Sequence, residues 1–259
     1  MSDGAFHLGD ETVRYLARLN PGGLWRRAGA EEKALVAIST ASWIALIVCS
    51  STNGGAGICG GPWRGAPFIG EFGWRAIMAM LMTLAMMLPL TSGSLRFVVL
   101  RSFPWRRRRS VRWWLAGYVG LWVVAMLLLS LAASMAQAAA RGGVWPAAGA
   151  FIIAAIWQMT PVKQWALSAC HHTQPLYPTG VRADLACAGF GVRIAGACMI
   201  SCGPLMLAAM AAPAPILAMA GAFAIALFER RVWRPPTAPI AIGLALVAAG
   251  LAGSALLMT

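Results

Sequence analysis

Sulfur-bearing side chains recur at helical spacing within apolar stretches of this 259-residue chain, which has 14 methionines and six cysteines. Cys198, Cys202 and Met206 are spaced four residues apart, and so are Met82 and Met86. Each set therefore falls on one face of a helix, drifting by about 40° per step. Thiolates and thioethers from two helices favour Cu(I) over hard ions such as magnesium. We predict that these five residues form a Cu(I) site inside a helical bundle.

A second candidate group lies between two apolar runs, where Cys170 and His171 are adjacent. These two residues are placed to accept or deliver a metal ion at the inner mouth of the bundle. Zinc fits less well, because no histidine or carboxylate lies deep in any apolar run. Ordinary explanations stay open, since methionine fills irregular cores and paired histidines such as His171 and His172 are common in solvated loops.

No set of residues has the spacing of a catalytic centre. The chain lacks a Ser-His-Asp candidate, an H-E-x-x-H motif, a pair of intramembrane aspartates and a phosphate-binding loop. Its three histidines lie outside the apolar runs, which disfavours a haem held by two of them. We expect a protein that is not an enzyme and has no organic cofactor, with a thiol-redox enzyme using Cys198 and Cys202 as a weak alternative.

The composition places these residues in a membrane. Apolar residues make up 59% and charged residues 11% of the chain, against about 25% charged in soluble domains. Most of the apolar runs reach the roughly 18 to 20 residues that cross a bilayer. We predict an all-α polytopic bundle of about seven transmembrane helices, with a segment at 1–33 and a single domain at 34–259. The runs are Ala34 to Thr52, Trp74 to Leu95, Trp113 to Ala136, Trp145 to Ala166, Ala186 to Ala211, Ala214 to Phe228 and Pro239 to Leu257.

The basic residues predict how the bundle is oriented. Most lie before the first run and after the second, fourth and sixth, whereas the alternate gaps hold only Arg64, Arg75 and Arg141. Because cytoplasmic loops are rich in Lys and Arg, we expect the N-terminus in the cytoplasm and the C-terminus outside. The same bias accounts for the net charge of +13 without a nucleic-acid partner. The densest block, Arg106 to Arg109, suits anionic lipid headgroups.

The residues around Pro161 suggest a polar contact near the end of the fourth run. Pro161 would free the carbonyl of Trp157 within a helix, and Thr160 or Gln158 is placed to compensate. Such a proline is either a gate beside a lysine or an ordinary bend at the end of a span.

Few ionisable residues lie near the spans. Glu229 closes the sixth run and could pair with Lys163 or Arg193. Arg193 would be a deep, functional charge if its helix enters the lipid near Asp184, whereas it would extend to the surface if the helix enters near Gly189.

A structural role is the main alternative to metal handling. Twelve tryptophans, many at the ends of runs, would anchor helices at the interfaces. Ala245, Ala249 and Gly253 lie four residues apart and allow close helix contact. Such a protein would assemble into a larger membrane complex or a homo-oligomer. Cys49 and Cys59 fall near the outer side, either as a disulfide in an oxidising compartment or as thiols.

Three stretches, in the same order, resemble the bacterial family of predicted metal-binding integral membrane proteins of unknown function. Trp74 to Pro89 ends in a pattern similar to that family's Ala-Met-Met-x-Pro signature. Trp157 to Lys163 resembles its aromatic-Gln-Leu-Thr-Pro-Leu-Lys motif, and Cys198 to Met206 resembles its Cys-Leu-Gly-Cys-Cys-Trp-x-Leu-Met motif. The resemblance implies a multi-pass protein of the bacterial inner membrane that binds or moves a metal.

The chain departs from the family pattern at three points in these motifs. Ala166 stands where the family has a cysteine, although the next cysteine position matches Cys170. Ser201 replaces the middle cysteine of the last motif, and Gly203 replaces its tryptophan. Two of the five sulfur ligands that the family pattern implies are therefore missing, which predicts that this chain binds metal weakly or has lost the site.

Overall fold

A computed structural model describes residues 29–52, 76–139, 145–232 and 236–257. Within these ranges the chain is helical and contains no strand, which confirms the predicted all-α class. The helices are α1 (Ala30–Thr52), α2 (Ala76–Met87), α3 (Ser92–Arg101), α4 (Arg107–Ala139), α5 (Trp145–Gln158), α6 (Pro161–Ala169), α7 (Gly180–Ala211), α8 (Pro215–Arg231) and α9 (Thr237–Leu257).

The number of segments that could cross a membrane is smaller than predicted. Among the described residues, α1, α4, α7 and α9 are long and apolar enough, which makes four. The bent pairs α2–α3 and α5–α6 raise the number to six if each pair is one span. Helix α8 has 17 residues, just short of the usual length, so seven spans are not supported. Most of the segment at 1–33 and the loop that contains Cys59 lie outside the described residues.

The run from Trp74 to Leu95 bends by 46° between α2 and the helical segment that begins at Pro89 and continues into α3. Helix α2 ends in a π-helical turn, and a 3-10 turn follows at Pro89–Thr91. Pro89 has no N–H to donate to the carbonyl of Ala85, four residues earlier. The buried hydroxyl of Ser39 donates to that carbonyl instead, at 2.7 Å. Helix α1 is thereby tied to the bend in α2.

The run from Trp145 to Ala166 is also broken, with a bend of 73° between α5 and α6. The hydroxyl of Thr160 donates to the carbonyl of Trp157 at 2.8 Å, which confirms the compensation predicted for Pro161. The same oxygen caps α6 by accepting a hydrogen bond from the backbone N–H of Lys163 at 3.3 Å. Thr160 therefore gives the end of α5 a hydrogen-bond donor and serves as the N-cap of α6.

A third proline, Pro204, lies inside α7 and leaves the carbonyl of Ile200 without its helical partner. The indole N–H of Trp157 donates to this carbonyl at 2.8 Å. The end of α5 is consequently fixed to the middle of α7, beside the cysteines of that helix.

A buried ion pair joins the starts of α4 and α7. Asp184 is buried, accepts a hydrogen bond from Arg106 and forms a salt bridge with Arg109, whose Nη2 lies 2.7 Å from Oδ2. Arg106 also donates to the carbonyl of Gly180 at 3.0 Å. The two N-terminal ends lie together, so the helices run in the same direction. Arg106 is thus engaged within the protein, and headgroup contact stays a prediction for the rest of the basic block.

Glycines allow α4 and α7 to approach closely, and this is the most extensive helix contact among the described residues. A methyl group at Gly117 would lie 2.2 Å from the carbonyl oxygen of Ala188. A methyl group at Gly191 would lie 2.2 Å from that of Trp114. Neither backbone can move away without separating the helices.

We expect Gly191→Ala to lower the free energy of unfolding by about 1–3 kcal/mol, because the added methyl group overpacks the α4–α7 contact. Gly189→Ala is the matched control in the same helix, since a methyl group there meets nothing within 4 Å. Thermal unfolding of the purified protein in detergent measures both. Equal melting temperatures for the two variants would contradict the close contact.

Candidate metal centre

Cys170, at the end of α6, lies in the core beside Cys198 and Cys202, which are neighbours on one face of α7. The thiol of Cys198 interacts with the side chains of Cys170 and Cys202. Their exposed fractions are 0%, 3% and 2%, respectively, so water is largely excluded from all three. Cys198 is the middle member of this group, which we call the cysteine row. The predicted core pair and part of the predicted inner relay therefore form one cluster.

The bend between α5 and α6 brings Cys170 to this position. Helix α6 is only nine residues long and packs against α7. Its last turn places Cys170 at the C-cap, where the backbone N–H donates to the carbonyl of Ala166 at 3.1 Å. Ala166 is fully buried one turn earlier. The family cysteine that this chain replaces with alanine would therefore also lie in the core.

Two hydroxyl groups border the cysteine row. Ser201 donates to the carbonyl of Cys198 at 3.0 Å, and its oxygen is 3.4 Å from the sulfur of Cys202. The phenol of Tyr118 on α4 interacts with Cys198. The same phenol donates to the carbonyl of Met87 at 3.2 Å. Tyr118, which sequence analysis missed, connects the π-helical end of α2 to the thiols.

A guanidinium group lies beside the cysteine row. Arg230, at the end of α8, interacts with Cys198 and Cys170 and donates from Nη1 to the carbonyl of Leu90 at 3.1 Å. Its Nε and Nη2 atoms are buried and have no hydrogen-bond partner within the described part of the chain. Among the described residues no carboxylate forms a salt bridge with it. Sequence analysis counted Arg230 only as a basic loop residue, because helical spacing says nothing about contacts between helices.

A buried polar cluster lies next to the thiols. The ammonium of Lys163 donates to Glu229 at 2.8 Å and to the side chain of Gln158. Gln158 in turn donates to Glu229 at 2.5 Å. This confirms the predicted pairing of Glu229 with Lys163, and Lys163 also acts electrostatically on Cys202. The other predicted partner, Arg193, is exposed and donates to the carbonyl of His172 at 2.7 Å, as expected of a residue that reaches the surface.

The methionines of the predicted site are buried, but their part in it stays a prediction. Met82, Met86 and Met206 have exposed fractions of 2%, 0% and 0%. Met206 continues the face of Cys198 and Cys202 by one more turn. The end of α2 packs mainly against α1 and α4 rather than α7. Tyr118 is the link from this methionine face to the cysteine row.

His171 is exposed and lines a cavity of about 400 Å³ together with Cys170 and Arg230. Partial burial, the charge of Arg230 and the neighbouring His172 lower the pKa of His171. The imidazole is therefore held towards its neutral form, which is the form that binds metals. Both residues of the predicted inner relay, Cys170 and His171, thus line the cavity, and Cys170 is at the same time the first member of the cysteine row.

The donor set fits a soft ion of low coordination number. The described residues contain no group of three or more His, Cys, Asp or Glu side chains that could coordinate one metal ion. The cysteine row instead presents two neighbouring thiol pairs that share Cys198. Structural zinc requires four ligands, whereas thiolates and thioethers select Cu(I). The residues present fit copper as cargo.

Comparison with known proteins agrees with this chemistry. The model of the PpoB2 family, described as copper chaperone, matches residues 76–253. The matched region contains the cysteine row, Arg230 and the Lys163–Glu229 pair. No curated protein and no solved structure matches the chain.

We expect Lys163→Met to destabilise the protein by about 3–5 kcal/mol, because it leaves the buried carboxylate of Glu229 without its partner charge. The double variant Lys163→Met, Glu229→Gln should lose less than the sum of the two single changes. Denaturant unfolding in detergent measures the cycle, and Arg108→Met is an exposed control that we expect to stay within about 0.5 kcal/mol of the parent. Additive losses would mean that the two groups do not interact.

Proposed function

The chain belongs to the PpoB2 copper chaperone family, and on that premise we propose that it is a multi-pass inner-membrane protein that binds and moves Cu(I). The observation that carries the proposal is the buried row of Cys170, Cys198 and Cys202. In this proposal Cys198 and Cys202 hold the ion, with Met206 one turn further along the same face. Met82 and Met86 approach from α2, and Cys170 with His171 forms the entrance.

Charge balance supports copper at this place. Two thiolates around one Cu(I) carry a net charge of −1, which is costly to bury alone. The guanidinium of Arg230 carries +1, lies next to Cys198 and has no carboxylate in a salt bridge within the described ranges. The loaded site is therefore neutral as a whole. The negative charge that balances Arg230 forms when Cys198 and Cys202 bind Cu(I) and release their two protons, so loading neutralises the buried guanidinium.

The order of the sulfurs supports movement as well as binding. Cys170 lines the cavity and interacts with Cys198, and Cys198 interacts with Cys202. Met206 follows after one helical turn, a rise of about 6 Å. Each step exchanges one sulfur ligand for the next and leaves the oxidation state of copper unchanged. Because basic residues gather at the cavity end, we assign that end to the cytoplasm.

Docking to another membrane protein or to a second copy is compatible with this function. Ala245 and Ala249 on α9 are exposed, and Gly253 is partly exposed. Small residues at this spacing let a further helix approach closely. A copper chaperone needs a recipient, and α9 offers a face for one.

We expect the purified protein to bind about one Cu(I) per chain, and the Cys198→Ser, Cys202→Ser double variant to bind none, because hydroxyl oxygen is a poor ligand for a soft ion. Cys187→Ser is the matched control, since Cys187 is a buried cysteine of the same helix that hydrogen-bonds to Ser110 and is influenced by the charges of Arg106 and Asp184. Anaerobic titration against a Cu(I) chelator, with elemental analysis, measures the stoichiometry.

The roles of the other ligands can be separated in the same titration. We expect Cys170→Ser to keep the stoichiometry and to slow loading, since Cys170 serves as the entrance. Unchanged Cu(I) binding by the Cys198→Ser, Cys202→Ser variant would refute the proposed site. Loss of binding in Cys187→Ser as well would point to a folding defect rather than a lost ligand.

A further inference from the structure

The cavity beside the cysteine row has the chemistry of an anion site. Its volume of about 400 Å³ falls within the roughly 300–1,000 Å³ of small-molecule sites. Among the described residues, no aspartate or glutamate lines it, whereas Arg230 and His171 do. Hydroxyl groups add further hydrogen-bond donors, from Ser92, Ser94 and Thr173.

Arg230 lacks acceptors for part of its guanidinium group. Nη1 donates to the carbonyl of Leu90, another residue of the cavity lining. Within the described ranges, Nε and Nη2 are buried and make no hydrogen bond. Buried donors are normally paired, and charged ones especially so. The guanidinium borders both Cys198 and the cavity, so a negatively charged guest would supply the missing acceptor when the guanidinium turns towards it.

The same cavity gives access to Cys170, the first thiol on the proposed path of the metal ion. Cys170 is part of the lining and interacts electrostatically with both Arg230 and Cys198. A guest held by Arg230 thus lies beside the first thiol of the cysteine row. Anion recognition and thiol chemistry meet at one place.

We infer that this cavity binds Cu(I) as its complex with a small anionic thiol, such as a carboxylate-bearing thiol peptide. A carboxylate of the carrier lies against Arg230, and its metal-bearing sulfur lies beside Cys170. The inference rests on the proposed function and adds the chemical form in which the ion arrives.

The transfer is a ligand exchange. The sulfur of Cys170 forms a bond to Cu(I) while the bond between Cu(I) and the carrier sulfur breaks. The proton of the Cys170 thiol passes to the departing carrier thiolate. Copper and both sulfurs keep their oxidation states, so no oxidant or reductant is needed. Cys198 then displaces the ion from Cys170 in the same way.

The test uses S-methylglutathione, which keeps both carboxylates of a thiol tripeptide but has no thiolate to bind copper. We expect calorimetry to show binding to the metal-free protein in phosphatidylcholine nanodiscs, and no binding of the dimethyl ester. Arg230→Gln should weaken binding roughly tenfold or more, because a charge-assisted hydrogen bond is lost. Arg112→Gln, which removes an exposed arginine outside the cavity lining, should leave binding unchanged.

Each contrary outcome has a distinct meaning. A protein that binds about one Cu(I) but no S-methylglutathione would overturn the anion site and leave the copper function standing. Binding that persists in the ester or in Arg230→Gln would place the ligand elsewhere. Loss of S-methylglutathione binding in nanodiscs containing phosphatidylglycerol would assign the cavity to a lipid headgroup. Binding of S-methylglutathione without any binding of Cu(I) would overturn the proposed function and the carrier role together.

Discussion

Carbonyl groups that prolines deprive of their helical N–H determine how this bundle bends. In an apolar environment an unpaired backbone carbonyl is costly. The hydroxyl of Ser39, the hydroxyl of Thr160 and the indole of Trp157 each donate to one such carbonyl. Two of these bonds stabilise the sharp bends of α2–α3 and α5–α6, and the third joins α5 to α7. The bends bring Cys170 to the thiols of α7.

Buried charges also fix the helices relative to one another. Asp184 is balanced by Arg106, and Glu229 by Lys163. Arg230 is the exception, because its neighbours are thiols and a backbone carbonyl rather than a carboxylate. A buried pair adds little net stability but is expensive to break, so these pairs hold helices in register. Arg230 lies beside the thiols that we propose as the copper ligands, within the region that matches the copper chaperone family.

The proposed copper site depends on keeping hard ligands away from the thiols as much as on the presence of sulfur. Among the described residues, the carboxylate of Glu229 lies near the thiols and is engaged by Lys163 and Gln158. Lys163 and Gln158 belong to the motif around Pro161, and Cys198 and Cys202 belong to the motif around Pro204. The two motifs meet through Trp157 and the backbone of α7. The polar cluster thereby leaves the sulfurs as the available donors of the core.

The sequence by itself determined the helical class, the Cys198–Cys202 face, the bend at Pro161 and the pairing of Glu229 with Lys163, because periodicity, proline geometry and the scarcity of charges are local properties. The seven predicted spans are not supported among the described residues, because α8, at 17 residues, is just short of the usual length of a span. Only the tertiary structure decided that Cys170 joins the two cysteines of α7 and that Tyr118 and Arg230 border them. Contacts between helices depend on the close approach at Gly117 and Gly191 and on the direction of each bend. The spacing of residues within a single helix determines neither.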